Sequence, residues 1–158
     1  MTTALDRPVG TDPAELVGHE MMQRLSAGIL HDHPEIDHPT ARRIVAQTAA
    51  FLAAGAQRPG LKLSPSQLVD IGWHTWILHT VDYAVFCEQV AGRFIHHVPT
   101  ADGEQADGGP TAARERTLTA ISDTGFAIDA DLWPMAVKMG DCNQCYAGCT
   151  DSPNGGKN

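Results

Sequence analysis

At 158 residues the chain is long enough for one hydrophobic core and short for two. Apolar residues make up 42% and charged residues 19%, a balance that excludes a wholly disordered chain. The formal charge is −8 and the only adjacent basic pair is Arg42-Arg43, which excludes the clustered Lys and Arg that phosphate contacts require, so no nucleic-acid partner is expected.

Residues 1–11 read as a flexible polar lead-in without the basic-then-apolar order of a secretory signal, and no run of about 18 apolar residues follows. A cytoplasmic protein with no membrane partner is the expectation. In a reducing compartment its four cysteines are more often free, metal-binding or redox-active than structural disulfides.

A helical domain is expected over residues 12–139. Asp12-Pro13-Ala14-Glu15 combines an N-cap residue, Pro at the first helical position and an acidic third position, so a helix is predicted from there, with Val17, Met21, Leu25 and Ile29 on its core face. His31-Asp32-His33-Pro34-Glu35-Ile36-Asp37-His38-Pro39 is broken by two prolines and reads as a loop rich in N and O ligands. A second helix is predicted from Pro39 to Ala54, stopped by Gly55, with Ile44, Val45, Thr48, Phe51 and Leu52 inward.

Ser64-Pro65-Ser66-Gln67 reads as a capping box that starts a third helix near Pro65, carrying Leu68, Asp70, Trp73, His74, Ile77 and Leu78 and ending close to His79. Thr80 caps a fourth helix to Ala91, with Tyr83, Phe86, Cys87 and Val90 at helical spacing and Gly92 as its stop. The two form a helical hairpin, after which Phe94 to Pro99 returns extended. Thr100 to Pro110 is polar and Gly-rich, a fifth helix is predicted from Thr111 to Ser122, and residues 140–158 form a disordered Cys- and Gly-containing tail too polar to bury itself. With no hairpin turn between alternating runs and no repeat, the fold class is all-α or nearly so: a small bundle of about five helices with a helical hairpin at its centre.

Three groups of side chains carry chemistry. Asp70 and His74 lie four positions apart and share a helix face, and His96 or His97 folded back across the hairpin would complete two imidazoles and a carboxylate, the set found around non-haem iron and catalytic zinc. Adjacent side chains of an extended segment point to opposite faces, so only one of His96 and His97 can join; the parity is open, with a lean to His97. The competing reading is a carboxylate that holds a partly buried histidine, itself bound to Tyr83 or a backbone carbonyl, with no ligand. Trp73, Trp76, Tyr83 and Phe86 read as core aromatics.

The second group, Cys142, Cys145 and Cys149, has thiolate spacing for zinc or an iron–sulfur cluster and lacks a fourth ligand, which Cys87 or a histidine could supply only through tertiary approach. The third, His31, His33 and His38 with Asp32, Glu35 and Asp37, suits zinc, nickel or copper and equally a solvated loop. No phosphate-binding loop, nucleophile elbow or zincin motif occurs, so no nucleotide cofactor is expected.

The run from Val69 to Cys87 resembles the signature of the glycine-rich domain-containing protein family and its small bacterial relatives. Asp70 precedes Trp73-His74, Leu78 follows a turn later, and Tyr83 and Cys87 sit on the next helix; Gly92-Arg93-Phe94-Ile95-His96-His97-Val98-Pro99 continues the likeness over about thirty residues in all. Residues from Cys142 to Gly156 are only loosely like that family's tail, being shorter and less glycine-dominated. The resemblance implies a fold and no reaction.

Three functions follow as expectations: a metal-binding helical protein with iron or zinc, either enzyme or carrier; a non-enzymatic interaction module with a protein partner at the C-terminal tail; or a peptide precursor whose Cys-containing end is modified.

Overall fold

The computed structural model describes residues 8–98 and 107–135. Among these residues five α-helices run in order: α1 (His19–Asp32), α2 (His38–Gln57), α3 (Gln67–Leu78), α4 (Thr80–Ala91) and α5 (Gly109–Asp123), with single 3-10 turns at Pro13–Leu16 and Ala130–Leu132. Among the described residues there is no strand, only an isolated bridge between Thr11 and Phe126. The all-α bundle predicted from periodicity is what forms.

Helix α2 packs against every other helix and both 3-10 turns. Its composition explains this. Ala41, Ala49, Ala50, Ala53 and Ala54 are buried and small, so neighbouring backbones approach closely, while Ile44, Val45, Phe51 and Leu52 supply the volume between them. Full burial of each of these larger side chains stabilises by about 1.5–3 kcal/mol relative to exposure.

The seam between α2 and α3 sets the position of the hairpin. Gly72 faces Thr48 so closely that a Cβ there would lie 2.2 Å from Thr48 Oγ1 and 2.9 Å from Ile44 Cγ2. Thr48 Oγ1 lies 2.8 Å from the Ile44 carbonyl of its own helix and 3.1 Å from the Val69 carbonyl of α3. A hydroxyl therefore ties the two helices together at the residue before Asp70.

Several boundaries differ from expectation. The first helix does not start at Pro13: Asp12 caps a 3-10 turn, and Gly18, at φ 76°, breaks the chain before α1. α1 continues through Asp32 and α2 starts at His38, so the ligand-rich loop shrinks to residues 33–37. Gly55 lies inside α2, which runs two residues further. α3 starts two residues after Pro65 because Ser66, rather than Ser64, accepts from the Val69 N–H; the backbone of Ser64 is instead engaged by Thr117 Oγ1 of α5.

After α5, Phe126, Leu132 and Trp133 return to the core. The indole N–H of Trp133 donates to Gln47 Oε1 at 2.9 Å, and Gln47 Nε2 donates to the Ala127 carbonyl at 3.0 Å, which satisfies a buried amide on both sides. The Arg43 guanidinium grips Asp129 through two hydrogen bonds of 2.6 and 2.7 Å and reaches Asp131 at 2.9 Å. No helix among the described residues is long and apolar enough to cross a membrane.

Candidate metal centre

Helix α3 divides its residues between two faces. Val69, Gly72, Trp73 and Trp76 turn into the core, and Asp70 and His74, one turn apart, share a partly buried flank. Helix α4 then runs back beside it, and Gly92 ends α4 in the left-handed conformation at φ 64°, where a Cβ would be strained. This reversal sends residues 93–98 back over the hairpin.

Alternation in that extended segment answers the parity question. Phe94 and His96 lie on the more exposed side, with ring centroids 4.9 Å apart, while Ile95 and His97 are partly buried, His97 against Trp73 and Asp70 of α3. His97 Nε2 lies 2.9 Å from Asp70 Oδ1, and His74 Nε2 lies 3.8 Å from Asp70 Oδ2. The carboxylate thus sits between two imidazoles, one on each oxygen. The two rings are themselves 4.7 Å apart between centroids. His97 is 9% exposed, Asp70 15% and His74 30%, so the group is recessed but opens to solvent on the His74 side.

One ligand atom from each of Asp70, His74 and His97 lies within 4.8 Å of the others. A metal at about 2.0–2.2 Å from N and O ligands would bring such atoms to roughly 3–3.5 Å from one another. The Asp70–His97 pair is already there. The remaining closure falls to His74, the most exposed of the three. Three protein ligands leave positions open for water or substrate, as in facial two-histidine, one-carboxylate sites.

His97 is held from behind. Its ring lies against Trp73, centroids 4.1 Å apart, and Trp73 meets Phe51 of α2 edge-on at 5.4 Å. Trp73 Nε1–H donates to Tyr83 Oη at 2.8 Å, and the Tyr83 hydroxyl donates to the Ile95 carbonyl at 2.7 Å. Tyr83 thus holds the indole and the backbone of the returning segment together. Burial pushes the Tyr83 phenol well above its ordinary value, so it is a neutral donor at any physiological pH. Helical spacing marks Trp73 and Tyr83 as core aromatics but does not say that their polar atoms, which buried Trp and Tyr must satisfy, meet each other.

The other candidates lie elsewhere. His96 is exposed and does not join Asp70, because its neighbour takes the inward parity. Among the described residues His31, His33 and His38 converge on no three-ligand group. His31 pairs with Asp32 at 2.8 Å on an exposed surface, His33 with Glu35 at 3.4 Å, and His38 is an exposed first-turn residue of α2. Cys87 is a buried thiol beside Tyr83. Cys142, Cys145 and Cys149, with the expected tail over residues 140–158, fall outside the described residues.

A family model described as UCP032817-like matches residues 14–115, from the first 3-10 turn into α5. This corrects the resemblance to the glycine-rich domain-containing protein family, which no match supports. That likeness rested on a few positions of one hairpin, where Trp, Tyr and Cys at helical spacing serve the core of this bundle. No curated protein matches, and no solved structure matches.

Proposed function

The chain belongs to the UCP032817-like family, and from the geometry of its hairpin we propose that it binds one divalent transition metal, iron(II) or zinc, through Asp70, His74 and His97. The convergence of the three ligand atoms within 4.8 Å carries this reading. The donor set is hard-to-borderline, two imidazoles and a carboxylate, which suits these metals better than thiolate-seeking copper(I).

In this reading Asp70 takes the metal between its oxygens and His97, so the 2.9 Å hydrogen bond is exchanged for coordination at the same nitrogen. A metal and a proton cannot both occupy His97 Nε2. The bond thus keeps carboxylate and imidazole in register until metal arrives. When bound, a metal with open positions supplies Lewis-acid or, for iron, redox chemistry; the recessed flank around it is small and lies open toward His74.

A second reading is favoured by the same short contact. Asp70 and His97 already satisfy one another, and with Tyr83 they clamp residues 93–98 onto the hairpin without any ion. The protein is then an interaction module whose site residues are structural.

Elemental analysis of protein purified without an affinity tag separates the two. The metal reading expects close to one equivalent of iron or zinc, abolished in His74→Ala. Substoichiometric metal throughout, with His74→Ala changing stability alone, favours the clamp.

A further inference from the structure

We infer that Tyr83 is a positioning residue for the metal centre, its hydroxyl fixing the register of residues 93–98 so that His97 reaches Asp70; this rests on the metal reading above. Two of the three ligands need no such help. Asp70 and His74 stand one turn apart on α3, and the helix backbone alone sets their spacing. His97 comes from a segment outside any helix, and its place depends on what holds that segment down.

The Tyr83 hydroxyl holds it at one point. Its proton goes to the Ile95 carbonyl at 2.7 Å and its oxygen accepts from Trp73 Nε1 at 2.8 Å. Ile95 precedes His97 by two residues, so both share the inward face of the extended segment. The indole that anchors the hydroxyl is also the surface against which His97 lies, centroids 4.1 Å apart. Trp73, Tyr83, Ile95 and His97 form a closed circuit, and the hydroxyl is its single polar joint. A phenylalanine at position 83 would keep the ring contacts with Trp76 and Phe94 and remove the hydroxyl alone, with its bonds to Trp73 and the Ile95 carbonyl and its contact with the Cys87 thiol.

A double-mutant cycle on cobalt(II) affinity tests this. Cobalt(II) binding to the intact protein, Tyr83→Phe, His97→Ala and the double variant is followed by visible absorption, at a temperature where circular dichroism shows each fully folded. Tyr83→Phe should weaken cobalt(II) binding about three- to tenfold, the fold-change of a lost neutral hydrogen bond, and shift the spectrum toward that of His97→Ala. In the His97→Ala background the same substitution should change affinity by less than about twofold. Equal loss in both backgrounds, or no loss in either, overturns the positioning role and leaves the metal site standing. No cobalt(II) bound by the intact protein overturns the metal reading and the positioning role with it. Should Tyr83→Phe fold poorly, the same cycle is run in sucrose, which favours the folded state of every variant alike, with the same outcomes deciding.

Discussion

Asp70 and His97 meet at 2.9 Å across 27 positions of chain, the carboxylate projecting from α3 and the imidazole from the segment that returns after α4. Helix periodicity places Asp70, a glycine stop turns the chain, strand alternation turns His97 inward, and Trp73 and Tyr83 hold it there. Removing either partner takes this 2.9 Å contact from a largely buried polar group.

Asp70→Asn keeps the shape of the side chain and removes its charge. Metal affinity should fall by more than about 100-fold, since even the outer partners of metal ligands are worth roughly 10–100-fold. Equilibrium titration with zinc against a competing chelator measures it. Asp70→Asn at native affinity would remove the carboxylate from the ligand set.

Gly72→Ala tests the seam that sets α3 on α2. The new Cβ would lie 2.2 Å from Thr48 Oγ1 and cannot be accommodated without separating the helices. A loss of about 3 kcal/mol is expected, at the upper end for overpacking, read as a lower midpoint in urea unfolding with little change in slope. An unchanged midpoint would show that the seam is looser than its geometry.

Trp133→Ala removes the largest core side chain contributed by the segment after α5 and leaves Gln47 Oε1 without its donor. The expected cost is about 3–5 kcal/mol, measured by thermal or chemical unfolding. Trp133→Phe should cost less, with the unpaired amide accounting for roughly 1–3 kcal/mol of it.

The Arg43–Asp129 pair sets a pH dependence. Hydrogen bonds from the guanidinium hold the Asp129 carboxyl below its usual range in the folded protein. A depressed carboxyl binds its proton more weakly folded than unfolded, so its stabilisation is present above the unfolded value near pH 4 and lost as pH falls through the folded one. Because Arg43 is 41% exposed, solvent screening limits the effect to roughly 1 kcal/mol. Asp129→Asn should therefore be less stable than the natural protein at pH 7, and the gap should close as pH falls through the depressed folded-state value of Asp129. A gap that stays constant with pH would assign it to packing.

Much of this architecture could be read from the chain before any coordinates. The stripe Ile44, Val45, Thr48, Phe51, Leu52 is buried as its period requires, and Gly92 ends α4 where a left-handed residue is needed. Asp70 and His74 could be paired because helix spacing is local information. The choice between His96 and His97 could not, since it depends on how the segment leaves Gly92 and where Ile95 finds a donor. Trp133 has no place in the sequence pattern for a similar reason: it lies beyond the last periodic run, and the tertiary partner Gln47 gives it one. At Ser64 and Ser66 two caps compete within three residues, and Thr117 on a distant helix decides between them.

Anomalous diffraction at the iron and zinc edges, from crystals of tag-free protein, bears most directly on the metal centre. A peak about 2.0–2.3 Å from Asp70, His74 and His97, with His97 Nε2 turned from the carboxylate to the metal, is the expected result. Maps without a peak there, and the direct Asp70–His97 hydrogen bond intact, would contradict it and leave the hairpin as a structural clamp.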